Sequence, residues 1–265
     1  MNQNQIKTSH NRKKRSIHTE NAGAKAQLFA QSFWRSMPRL LYPDRCPVCD
    51  RVLHAAWICP ECAKKIRYIT QPFCYSCGKR LDNEVQEYCH DCLRKKHVFC
   101  QGRAVFQYQG PVREMLYRYK YSNRRDYTEF FAREAAARYG SWVRQLDIDM
   151  VMPVPLSRKR KRRRGYNQAD LFGKRFAQLC GLDYDAKKLV RIRHTAPQKQ
   201  LSVQERKNNL KNAFKIDGNV VNLKRILLID DIYTTGSTID SAALVLKQSG
   251  IEDVFYLCIS IGQGQ

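Results

Sequence analysis

Two sets of side chains in this chain are spaced for chemistry. Between residues 46 and 92, eight cysteines fall in four CxxC pairs: Cys46/Cys49, Cys59/Cys62, Cys74/Cys77 and Cys89/Cys92. Two thiolates three positions apart can grip one tetrahedral ion from a tight turn, and a second pair closes the site. Four pairs therefore predict two structural zinc sites of four cysteines each, saturated by sulfur and with no position left for a catalytic water. Sequential pairing closes the shortest loops, with Cys46, Cys49, Cys59 and Cys62 in one site and Cys74, Cys77, Cys89 and Cys92 in the other; spacing does not exclude crossed pairing. A redox dithiol needs a single CxxC, so four copies argue for metal. His90 and His97 read as ordinary polar residues, and Cys100, Cys180 and Cys258 as thiols outside the pattern.

The second set lies in Arg225 to Thr238, RILLIDDIYTTGST. Asp230 and Asp231 close the apolar run Ile226 to Ile229, and Thr234-Thr235-Gly236-Ser237-Thr238 follows. Gly236 permits a tight turn, freed amides and a helix N-terminus face an anion, and the hydroxyls complete a phosphate cup. The loop lacks the Lys of GxxxxGK[ST] and the three glycines of GxGxxG. Carboxylates just before such a cup suit the two hydroxyls of a ribose whose 5′-phosphate fills it. The stretch resembles the 5-phosphoribosyl-1-pyrophosphate (PRPP) motif of type I phosphoribosyltransferases. By that resemblance Asp230 and Asp231 hold the ribose hydroxyls, and Thr234, Thr235, Gly236, Ser237 and Thr238 hold the 5′-phosphate. The bland alternative is a polar surface turn after an ordinary buried strand.

Positioning these groups needs a sheet. Ile226 to Ile229 read as a strand buried on both faces. Ile239, Leu244 and Leu246 share one side of a helix closed by Gly250. Ala104 to Tyr108, Met150 to Leu156 and Val254 to Ile261 supply further strands. Gly110-Pro111 reads as a turn, and Val112 to Tyr121 and Tyr127 to Tyr139 as helices. The expected fold is α/β: a type I phosphoribosyltransferase-like parallel sheet flanked by helices, with an N-terminal double zinc-ribbon subdomain. Its expected division is 1–40, a basic arm without order apart from a short helix over Ala30 to Met37; 41–100, the double ribbon; and 101–265, the phosphoribosyltransferase-like domain.

With 48 Lys and Arg against 24 Asp and Glu, the chain carries a formal +24. Such an excess favours a polyanionic partner, nucleic acid first. The densest run is Arg158 to Arg164, followed by Gly165-Tyr166-Asn167-Gln168 and then a helix to about Cys180. In a phosphoribosyltransferase the loop after an early strand receives pyrophosphate, and Leu156, Ser157 and Arg158 fall there. Arg160, Arg162, Arg163 and Arg164 are candidates for nucleic-acid phosphates, and the alternative is a solvated charge run. Lys120, Arg124 and Arg125 beside Tyr117, Tyr119 and Tyr121 suit base stacking with phosphate neutralisation, although tyrosines at helical spacing also build cores. Arg191 to Phe214 resembles the flexible loop that closes over PRPP, with Thr195, Gln198, Leu201, Arg206 and Asn209 as its positions of interest.

The four CxxC pairs, MPVPL, RRRGYNQ and LLIDDIYTTGST together resemble the ComF competence family. The resemblance implies DNA uptake in natural transformation, with single-stranded DNA and a helicase as partners, and PRPP bound with Mg²⁺. No apolar run approaches the roughly 20 residues of a membrane span, and the N-terminus lacks the apolar core of a secretory signal. The cytoplasm is expected, with recruitment to the inner face of the membrane. One departure matters: purine-salvage relatives carry an acid/base Asp where this chain has Thr234. A salvage phosphoribosyltransferase with an unidentified nitrogen acceptor, and a zinc-dependent nucleic-acid scaffold with a vestigial site, are the alternatives.

Overall fold

The structure, a computed structural model, describes residues 44–54, 56–192 and 213–262. Two short helices, α1 (Pro60–Ala63) and α2 (His90–Arg94), each begin just after the first cysteine of a CxxC pair. Then come β1 (Gln101–Gln107), α3 (Gly110–Tyr121), α4 (Tyr127–Gln145) and β2 (Met150–Pro153). They are followed by α5 (Arg158–Arg164), α6 (Gln168–Cys180), β3 (Leu189–Arg191) and β4 (Phe214–Ile216). β5 (Arg225–Tyr233), α7 (Ser237–Gln248) and β6 (Asp253–Ile261) complete the described chain. The main sheet has four parallel strands in the order β1-β6-β5-β2, and β3 and β4 pair antiparallel.

The apolar run in β5 serves both faces of the sheet. Leu227 and Ile229 join Phe131, Phe172 and Phe176 of α4 and α6 in one core. Ile226 and Leu228 join Ile239, Ala243 and Leu246 of α7 in the other. Cys74, Cys77, Leu81 and Cys89 belong to that second core, so the second cysteine segment packs against the sheet. Cys46, Cys59 and Cys62 instead form a small cluster with Val48, Leu53 and Ile58. The α/β class and the amino-terminal ribbon head agree with the reading from sequence.

Three local expectations are corrected, and one open alternative is decided. The acid pair does not end the strand: pairing with β6 runs on through Asp230↔Cys258 to Tyr233↔Ile261. Gly110-Pro111 is no turn; proline at the first turn lacks only an N–H that the helix would leave unbonded, so α3 starts there. The basic run is helical. Ser157 accepts a hydrogen bond from the Arg160 N–H, and Gly165 closes the helix in the left-handed conformation. Tyr119 is wholly buried and belongs to the core, whereas Tyr117 and Tyr121 are exposed. The amino-terminal arm and the positions Thr195, Gln198, Leu201, Arg206 and Asn209 lie outside the described residues.

Candidate functional site

A cavity of about 480 Å³ opens beyond the carboxyl ends of β2 and β5, where open parallel sheets bind their ligands. Asp230, Asp231, Thr234, Thr235, Ser237 and Thr238 line it from β5 and the following loop. Leu156 and, from α5, Arg160, Arg163 and Arg164 line the facing wall. Gly236 acts through its backbone. Its φ is 73°, and a Cβ there would lie 2.4 Å from the Tyr233 hydroxyl, so the tight turn at this point requires glycine. Ser157, Arg158 and Arg162 do not line the cavity; the Ser157 hydroxyl is engaged as the cap of α5.

The loop and the first residues of α7 line the cavity. α5 and α6 are capped by side chains, whereas no side chain caps the start of α7 at Gly236. Its first-turn amides are therefore available to an anion. Thr235 Oγ1 and Ser237 Oγ lie 2.9 Å apart, which holds the hydroxyls together at that end.

The two acids differ in surroundings. Asp231 is 2.9 Å from Lys120 Nζ and 3.5 Å from Arg164 Nη1, all three side chains being largely covered. Asp230 accepts the Asp231 backbone N–H at 2.8 Å. Burial, then the adjacent Asp231 charge, push Asp230 up to about 7. A carboxyl whose folded value lies above its unfolded 3.8 costs stability as pH rises, because folding must take back a proton that the unfolded carboxyl has already lost. Asp230→Asn should therefore leave the protein more stable than the parent at about pH 8. That advantage should shrink towards pH 4, as melting temperatures measured across pH would register.

Sequence reasoning missed two members of this wall. Lys120 was legible only as a base-stacking neighbour, and its tie to Asp231 depends on α3 crossing over the end of β5. Arg191 lines the cavity with its guanidinium over the Phe214 ring at 5.2 Å. Burial, then the neighbouring Arg160 charge, draw its pKa below the ordinary arginine value, with Asp230 opposing. Lys120, Arg160, Arg163, Arg164 and Arg191 thus outnumber the two acids around one cavity. Such a chamber favours a ligand with several negative charges and hydroxyls for the acids.

The cysteines group as sequential pairing predicts. Cys46, Cys49, Cys59 and Cys62 bring their sulfurs within 4.8 Å of one another, as do Cys74, Cys77, Cys89 and Cys92. Four converging thiolates fit a tetrahedral zinc ion. Among the described residues, no helix is long and apolar enough to cross a membrane.

Residues 37–93 match the family model described as "Double zinc ribbon domain". Over 217 residues the chain is 32% identical to Competence protein F of Haemophilus influenzae, covering 79% of this chain and 93% of that one. It is 32% identical over 219 residues to the DNA utilization protein YhgH of Salmonella typhimurium, covering 81% and 88%. Among solved structures it is similar to a purine phosphoribosyltransferase from Pyrococcus horikoshii at 14% identity and a TM-score of 0.33, over 50% of this chain and 74% of that one.

Proposed function

The chain belongs to the ComF family of competence proteins, and from that premise we propose that it serves DNA uptake as a PRPP-binding protein that also grips single-stranded DNA. The observation that carries the proposal is the meeting of Asp230, Asp231 and the hydroxyl loop in one cation-rich cavity. In this reading the cup from Thr234 to Thr238 takes the 5′-phosphate, and the acids take the ribose hydroxyls. Arg160 and Arg164, with Leu156 and the backbone before α5, face the pyrophosphate. Mg²⁺ bound with PRPP would offset part of the negative charge, the basic wall would meet the rest, and the acids would hold the ribose hydroxyls. Thr234 carries no ionisable group, so the reading claims binding and leaves transfer aside. PRPP binding by the zinc-loaded chain in Mg²⁺ is its test, and an inert chain would leave only a polyanion-binding protein.

Single-stranded DNA has a separate support. Six of the seven residues of α5, Arg158 to Arg163, are exposed, and like charges one turn apart destabilise a helix. An anionic strand would relieve that cost. A groove of about 860 Å³ along α3 adjoins the cavity, sharing Tyr108, Lys120, Tyr121 and Ile232 with it. Tyr117 and Tyr121 are exposed there with ring centroids 5.1 Å apart, a surface on which bases can stack. The Arg163 guanidinium lies over Tyr121 at 5.0 Å, joining the stacking surface to the basic helix. We place a helicase partner, the cytoplasmic side of the membrane and a boundary between ribbon and sheet domain near residue 100 in the same proposal. Replacing Arg160, Arg162 and Arg163 by Gln should lower the log–log salt slope of single-strand binding by about 0.7 for each phosphate no longer neutralised. Titrations at several salt concentrations would measure it, and an unchanged slope would remove α5 from the interface.

A further inference from the structure

The phosphate loop is bracketed by Tyr233 and Asp240, and both are held by the segment that carries the second cysteine group. Asp240, in the first turn of α7, receives three groups from the stretch just after α2: Lys95 Nζ at 2.5 Å, His97 Nδ1 at 3.0 Å and the Val98 N–H at 3.0 Å. A carboxylate only accepts, so Nδ1 carries a proton, and Nε2 lies 3.4 Å from the Tyr233 hydroxyl. The His97 ring stacks on Phe99, centroids 4.5 Å apart, and its side chain is 3% exposed. Burial would raise Asp240, yet the bonds from His97, Lys95 and Val98 hold it below the usual carboxylate range.

From the other side, the Tyr233 ring stacks on Tyr256 at 4.8 Å and 1°. The Tyr256 hydroxyl donates to the carbonyl of Cys77, itself one of the four converging cysteines, at 2.7 Å. Tyr256 needs room to lie there: a Cβ on Gly102 would come within 1.9 Å of its ring. The turn itself rests on this assembly, since a Cβ at Gly236 would meet Tyr233 Oη at 2.4 Å and His97 Cε1 at 3.0 Å. The first cysteine group is tied elsewhere. Arg118 donates to the Pro47 and Val48 carbonyls, and Arg124 pairs with Asp50, so it bears on α3 and the turn after it.

We propose that His97 is a positioning residue that locks the phosphate loop to the second cysteine site, so that the metal-bearing ribbon sets the shape of the sugar-phosphate seat without touching the ligand. The proposal deepens the PRPP reading and rests on it for the ligand, but the lock itself is a property of the unliganded chain. It explains why a histidine lacking from both cysteine groups is buried beside one of them. It also divides labour between the ribbons: the second governs the cup, and the first governs the face on which α3 presents its tyrosines.

The test is hydrogen exchange on the full zinc-loaded chain without ligand, followed by PRPP titration in Mg²⁺. His97→Ala and, from the opposite side of the hydrogen bond, Asp240→Ala should each speed exchange of the amides from 234 to 240 by about tenfold or more, and weaken PRPP by a similar factor. Zinc content should stay at two per chain. His97→Asn, which keeps an N–H where Nδ1 stood, should restore protection. The double variant should lose less than the sum of the two single ones, because the His97–Asp240 bond is counted in both, while Asp240→Ala also frees Lys95 and the Val98 N–H. Unchanged loop exchange in both alanine variants, additive losses, or no rescue by asparagine would overturn the lock. A parent chain that ignores PRPP while loop exchange still responds would refute the PRPP reading and leave the lock standing.

Discussion

Changing Asp230 and Asp231 together to asparagine should weaken PRPP binding by about a hundredfold or more, with zinc content and fold retained. A hydrogen bond to a charged group is worth about 1.5–3 kcal/mol, and two carboxylates each facing a ribose hydroxyl set the scale of the loss. The fold should survive because asparagine keeps the shape. Asp230 gives up a charge that burial already opposes, and Asp231 gives up its ties to Lys120 and Arg164. Those two cations are then released towards the cavity, so single-stranded DNA should bind the variant at least as well as the parent. Calorimetry with PRPP and anisotropy with an oligonucleotide separate the two effects. Loss of both affinities together would mean one shared surface rather than a seat beside a strand path. Normal DNA uptake in a cell carrying the variant would remove the seat from the function.

The other large effect concerns the metals. Structural zinc is held with an apparent ~10–16 kcal/mol in zinc-finger peptides, about as much as the whole net stability of a typical domain. The two groups should nevertheless fail differently. Cys74, Cys77 and Cys89 themselves share a core with Ile226, Leu228 and Tyr256, whereas Cys46, Cys59 and Cys62 cluster with Val48, Leu53 and Ile58 and reach the other sheet core only through Val48 and Ile58. Cys77→Ser should therefore abolish cooperative melting of the sheet domain. Cys46→Ser should release one zinc ion and lower the melting temperature far less, with the sheet still melting cooperatively. Zinc release by a thiol reagent, set beside thermal melting, would show it. Equal damage from both would mean that the ribbons fold as one body with the sheet.

How much of this was legible in the chain depends on how local each signal is. The run from Ile226 to Ile229 declared a strand covered on both sides, and Asp230 through Thr238 declared that acids and hydroxyls meet at one place, because they lie within one strand and its following turn. CxxC spacing declared the cysteine groups for the same reason. Arg158 to Arg164 showed only charge. With no apolar period to read, its helical form depends on the Ser157 cap and on Gly165. Lys120 and Arg191 were invisible as walls of the cavity because α3 and β3 bring them there across long stretches of chain. His97 was read as an ordinary polar residue for the same reason, as its partner Asp240 lies in the last third of the sequence. Tyr119 obeyed helical periodicity and went to the core, and its neighbours Tyr117 and Tyr121 stayed on the surface.

A crystal structure of the zinc-loaded chain with PRPP and Mg²⁺ tests the seat most directly. The 5′-phosphate should lie against the amides and hydroxyls of residues 234 to 238, with the ribose hydroxyls within hydrogen-bond distance of Asp230 and Asp231. Phosphate bound only on the outer arginines of α5, with Asp231 still paired to Lys120 and Arg164 and no sugar at the acids, would contradict it.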